Sequence, residues 1–131
     1  RDHLEDLKSL QEAGFFLGVK TVLDVGCGDG QVTARIAKLY PHIKVVGCDI
    51  SRAMLAFASK AYPASEYPNL SFVEKDACNL GICEQYDRVV SFTTLHWIKD
   101  QKKALQSLTK LYNVCSYLDF LFFRFGIRYV V

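Results

Sequence analysis

Apolar residues along the chain switch between two periods. Leu4, Leu7 and Leu10 recur at helical spacing, and Gly14 is placed to end that helix. Residues 21–25, TVLDV, form a short apolar run that predicts a buried strand. Helical spacing returns over residues 31–40 and closes at Pro41. Residues 43–48 predict a second strand, and residues 52–62 a second long helix closed by Pro63, with Ser51 as its N-cap. PASEYPN reads as a loop by composition. LSFVEKD predicts a third strand, YDRVVSF a fourth, and DQKKALQSLTKLY a further helix. Strands alternating with helices predict an α/β fold, a doubly wound and mostly parallel sheet with right-handed crossovers. In such sheets ligands bind outside the carboxyl ends of the strands.

The junction after the first strand is the most informative segment. It reads TVLDVGCGDG, with glycine at 26, 28 and 30. A strand that drops straight into a helix needs a tight turn, and glycine allows both positive φ and close approach of a ligand. A dinucleotide fingerprint requires glycine at position 31, where this chain has Gln31. Asp24 precedes the loop and Asp29 lies inside it, and a pyrophosphate beside both is disfavoured by like charge. S-adenosylmethionine (SAM) has no phosphate and carries an ammonium and a sulfonium, so the same acids attract it. Asp49 ends the second strand, where a carboxylate accepts hydrogen bonds from two ribose hydroxyls. The expected cofactor residues are Asp24, Gly26, Cys27, Gly28, Gly30, Asp49, Ile50, Asp76 and Ala77. Asp76 and Ala77 follow the third strand, where an acid and an apolar contact suit an adenine.

The 131 residues suit one small domain, and half of them are hydrophobic. The net charge of +2 is spread along the chain, with one short basic group at Lys99, Lys102 and Lys103, so no nucleic-acid partner is expected. Five cysteines, an odd number without C-x-x-C spacing, predict reduced thiols and a cytoplasmic protein, with Cys27 and Cys48 as small apolar fillers. The three histidines are scattered, and no metal is expected. The C-terminal apolar stretch is broken by Asp119, Arg124 and Arg128, which argues against a membrane span. Composition leaves the oligomeric state open.

DVGCGDG, followed by VVGCDIS, EKDA and SFTTLHWIKDQKKAL, resembles the class I SAM-dependent methyltransferases over about residues 20–112. SFTTLHW with DQKKALQSL is similar to the small-molecule carboxyl methyltransferases, including the juvenile hormone acid and trans-aconitate groups. The resemblance implies a Rossmann-like fold and transfer of a methyl group to a small acceptor, a carboxylic acid. It implies that Asp24, Gly26, Gly28 and Gly30 line the methionine and ribose part of the cofactor. Asp49 would hold the ribose hydroxyls, and Asp76 with Ala77 would meet the adenine. Ser91 to Trp97 would border the acceptor pocket, with Trp97 helping to hold the acceptor carboxylate. A carboxylate is already ionised near neutral pH and needs no base. A hydroxyl or amine acceptor needs one, and His96 then takes that role; otherwise its ring packs within the loop.

The resemblance divides the chain into an N-terminal helical cap remnant (1–19), a SAM-binding core (20–112) and an atypical apolar tail (113–131). Family members finish the sheet with further strands after a Lys-Pro-Gly-Gly-like turn, whereas this chain continues NVCSYLDFLFFRFGIRYVV. The expected chain is therefore short at both ends. Its tail is either a substitute edge strand or hairpin or an unnatural end. Two further function classes stay open beside the enzyme: a domain that binds SAM without turnover, and a less favoured NAD(P)-dependent oxidoreductase.

Overall fold

The computed structural model describes residues 3–76, 86–92 and 121–122. The order of elements is α1 (His3–Glu12), β1 (Thr21–Val25), α2 (Gln31–Leu39), β2 (Lys44–Asp49), α3 (Arg52–Ala61), β3 (Leu70–Glu74), β4 (Arg88–Val90) and β5 (Leu121–Phe122). The strands form one sheet in the order β3-β2-β1-β4-β5, and every pairing is parallel. The chain runs outward from β1 to β3 and then returns to β4 on the other side. That reversal puts a crevice at the carboxyl end of β1, beside β4.

β1 is central, and Val22, Leu23 and Val25 are all buried, as expected of a parallel strand covered on both faces. In the register Val25 faces Cys48 and Asp49 faces Glu74, so the strand ends that carry the motif residues lie side by side. The core joins Leu7, Leu10, Phe15 and Phe16 to Ala34, Ile36 and Ala37 of α2 and to Val22 and Val45 of the sheet. The small alanines let α2 approach closely.

Long-range polar contacts fix the opposite end of the sheet. Asp87 accepts hydrogen bonds from the Lys20 and Thr21 amides at 2.8 and 3.1 Å, and its own amide donates to Thr21 Oγ1 at 2.9 Å. These contacts set the start of β1 against the start of β4. The Arg88 guanidinium lies 5.2 Å from the Phe15 ring centroid, and its Nε donates to the Phe15 carbonyl at 2.9 Å.

Among the described residues the elements form where the pattern predicts, with shifts at the ends. Ser51 caps α3, its Oγ accepting from the Met54 amide at 3.2 Å. Gly14 follows α1 at φ +75. β2 extends through Asp49, one residue beyond the predicted end. β4 is only three residues long, where the sequence predicted a strand over 86–92. Beyond it the Ser91 hydroxyl donates to the Val25 carbonyl at 2.9 Å, a side-chain tie to β1 where the strand pairing with β1 has ended. Within the C-terminal stretch, Leu121 and Phe122 pair with Val89 and Val90, which places a strand of that segment beside β4. The helix predicted over DQKKALQSLTKLY lies outside the described residues. Among the described residues no helix is long and apolar enough to cross a membrane.

Asn69 closes the C-terminal end of α2. The two protons of its side-chain Nδ2 are shared among the carbonyls of Ala37, Tyr40 and Ile43, at 3.0, 3.1 and 2.8 Å. Carbonyls at a helix end have no partner within the helix. Asn69→Ala removes this donor, leaving the Tyr40 carbonyl only the Ile43 amide at 3.0 Å, and is expected to cost about 1–3 kcal/mol. A lower urea midpoint at unchanged slope is the expected readout; an unchanged midpoint would show that water replaces the amide freely.

Candidate functional site

The glycine loop is shaped by the end of the neighbouring strand. The amides of Gly26 and Cys27 both donate to the Cys48 carbonyl, at 2.8 and 3.0 Å. The Gly28 amide donates to Asp49 Oδ2 at 2.9 Å, and Asp49 Oδ1 accepts from the Ser51 amide at 2.9 Å. Asp49 therefore ties the loop on one side to the start of α3 on the other. Asp29 Oδ1 accepts from the Gln31 amide at 3.1 Å, which sets an acid at the start of α2.

Gly28 and Gly30 have different tasks. Both lie in the left-handed region, at φ +57 and +83. A Cβ on Gly28 would meet nothing within 4 Å, so this position opens onto free space. A Cβ on Gly30 would stand 2.9 Å from Ala58 Cβ and from Phe72 Cζ. Gly30 thus lets the loop settle against α3 and β3, while Gly28 leaves room for a ligand to approach the backbone.

A cavity of about 210 Å³ opens at the carboxyl end of β1. Among the described residues its walls are Asp24, Gly26, Cys27, Gly28, Asp29, Gln31, Val32 and Phe92. Asp24 is 2 % exposed, and Thr33 Oγ1 donates to its Oδ2 at 2.7 Å. Burial lifts the Asp24 carboxyl to about 7, the Thr33 hydrogen bond opposes that rise, and the charge of Asp49 adds to it. Because the folded value lies above the ordinary 3.8, the stability contributed by this carboxyl is whole below about pH 4. It is lost as the pH rises through about 7.

Cys27 and Cys48 are free thiols. Burial, with Asp24 and Asp49 nearby, pushes the Cys27 thiol far up; burial and Asp24 push Cys48 up to about 12. Both keep their protons at neutral pH, so they act as apolar walls and not as nucleophiles. Among the described residues no group of His, Cys, Asp and Glu is arranged to hold a metal ion.

The structure gathers four expected residues, Asp24, Gly26, Cys27 and Gly28, at this cavity. Gly30 lies beneath the loop. Asp49 and Ile50 stand at the end of β2, with Ile50 68 % exposed. Asp76 is exposed just beyond β3. Ala77, His96 and Trp97 lie outside the described residues. Three contributors were missing from the sequence-based reading: Gln31 and Val32 in the cavity wall, and Thr33 bonded to Asp24. Thr33 had a faint signal, a hydroxyl among the apolar positions of a helix face that buries Ala34, Ile36 and Ala37. Phe92, inside the Ser91 to Trp97 segment expected to border the acceptor pocket, lies in the wall of this cavity.

Comparison with known proteins agrees with this fold. The profile of the family described as a methyltransferase domain matches residues 22–114. The juvenile hormone acid O-methyltransferase of Bombyx mori is 36% identical over a match covering 69% of this chain and 33% of that protein. The trans-aconitate 2-methyltransferase of Deinococcus radiodurans is 38% identical, covering 66% of this chain and 31% of that one. The chain thus spans about a third of the length of these relatives. Among solved structures, an O-methyltransferase from a polyketide synthase of Brevibacillus brevis, in complex with S-adenosyl-L-homocysteine, superposes with a TM-score of 0.65. It is 28% identical, with 72% of this chain and 32% of that one covered. With a family match over most of its length and the strand order and glycine loop just described, this chain belongs to the class I SAM-dependent methyltransferases.

Proposed function

We propose that this chain is the cofactor-binding part of a methyltransferase that transfers a methyl group from SAM to the carboxylate of a small organic acid. The observation that carries this reading is the cavity at the end of β1, where free space beside the Gly28 backbone adjoins a buried acid. Such a pocket favours a cationic ligand and disfavours a phosphate.

The residues present fit SAM. Each Asp49 oxygen accepts one backbone amide and keeps lone pairs for ribose hydroxyls. The exposed Ile50 side chain offers an apolar face to an adenine, with the exposed Asp76 just beyond the next strand and Ala77 following it in sequence. Asp24 and Asp29 supply negative charge for the ammonium and sulfonium end. When bound, SAM supplies a methyl group on an already activated sulfur, so an ionised carboxylate displaces it without a general base. The chain's own work is then to position, to exclude water and to balance charge. His96 and Trp97 belong to the acceptor side in this reading, Trp97 beside the acceptor carboxylate and His96 as base only for a hydroxyl or amine. The acceptor class is supported by the acids named in the two relatives. The free thiols of Cys27 and Cys48 support a reducing, cytoplasmic setting.

Titration calorimetry with SAM tests the cofactor reading. Asp49→Ala removes a charged acceptor and is expected to weaken binding by about tenfold or more. Binding of a nicotinamide dinucleotide instead of SAM, or no SAM binding by folded protein, would overturn the reading.

Gly28→Ala separates binding from folding. Its methyl group meets no protein atom, so stability should fall by only about 1–2 kcal/mol for the left-handed backbone. SAM affinity should fall much further, because the methyl group occupies the ligand's space. Equal SAM affinity in wild type and Gly28→Ala would place the cofactor elsewhere. Formation of methyl esters from labelled SAM across medium-chain and terpenoid acids tests the acceptor class; binding without any ester would leave a binding domain and not an enzyme.

A further inference from the structure

Thr33 belongs to no motif, yet it makes the buried polar contact of the site. Its side chain is fully buried on the sheet-facing side of α2, in a row with Ala34, Ile36 and Ala37. A hydroxyl there loses its water and needs a partner. The partner is Asp24 Oδ2 at 2.7 Å, itself in the cavity wall. Packing alone would be met as well by valine, which has the same shape.

The surroundings of Asp24 explain the hydroxyl. From β2 come Asp49, whose charge opposes ionisation of Asp24, and Cys48, whose thiol is neutral. From the loop come the neutral Cys27 and, in the same cavity wall, Asp29; just past β4 lies the uncharged Ser91, bonded to the Val25 carbonyl. Burial also opposes the charge, and among the described residues Thr33 is the group that favours it. We propose that Thr33 is a positioning residue, whose hydrogen bond favours the charged form of Asp24 and orients it at the cavity wall so that it can attract the cationic end of the cofactor. This rests on the reading that SAM occupies this cavity.

The sign follows from the direction of the shift. The charged fraction of Asp24 grows as the pH rises through about 7, so SAM affinity should rise between about pH 6 and pH 8. Thr33→Val removes the donor and should move the Asp24 midpoint up by about one unit. SAM affinity at pH 7 should then fall about fivefold and rejoin the wild type by about pH 9. Thr33→Ser restores the donor and should restore both values.

Two measurements on the full chain decide it: a carboxyl carbon NMR titration of Asp24 without ligand, and calorimetric SAM affinity across the same pH range. Thr33→Ala supplies the same loss of donor if valine is not accommodated. An Asp24 midpoint unmoved in Thr33→Val overturns the proposal, whatever SAM does. A loss of affinity equal at every pH also overturns it, since that marks a packing role only. A midpoint that moves as expected in a wild-type and variant pair that bind no SAM overturns the cofactor reading and, with it, the purpose assigned to Thr33.

Discussion

The site depends on the last two residues of β2. The Cys48 carbonyl accepts two amides of the glycine loop, and the Asp49 carboxylate accepts a third. A loop of alternating glycines has little conformational preference of its own. Its shape is imposed by acceptors on an adjacent strand, one of them charged and so stronger than a neutral partner. Those acceptors stand in place only because β1 and β2 run parallel with Val25 opposite Cys48. Sheet register and loop shape are therefore a single constraint. The further bond from the Ser51 amide to Asp49 extends that constraint to the start of α3.

In the proposed reading, function works against stability at Asp24. Asp24 occupies a central, doubly covered strand, where its neighbours Val22, Leu23 and Val25 contribute burial and an acid contributes a desolvation cost. Thr33 offsets part of that cost, and the neutral thiols of Cys27 and Cys48 add no competing charge at neutral pH. An acid buried here and poised to ionise near neutral pH suits the proposed role of holding a cation. Among the described residues the local rule that acids avoid the core fails at Asp24, where the proposed binding chemistry calls for a charge.

Gly28 and Gly30 show how one motif serves two ends. Both need positive φ, and both would be strained by a side chain. Their surroundings differ: Gly30 is closed in by Ala58 and Phe72, whereas Gly28 faces space. Spacing cannot separate these tasks, because it describes the backbone and not what packs around it.

The sequence by itself determined the local elements and the general place of the site. Helical and strand periods, Ser51 as a cap, the glycine turn and an acid at the end of the second strand are properties of neighbouring residues, legible without any tertiary contact. The partners of these residues were decided only by the fold. Thr33 reaches Asp24 across a helix–sheet interface, Asn69 reaches carbonyls as far back as Ala37, and Asp87 grips Thr21 from 66 positions away. Leu121 lies beside Val89 by a pairing that no local pattern announces. In a parallel sheet every neighbouring strand is separated in sequence by at least one crossover. The pairs that set charge, burial and register are therefore long-range, and only the folded chain brings them together.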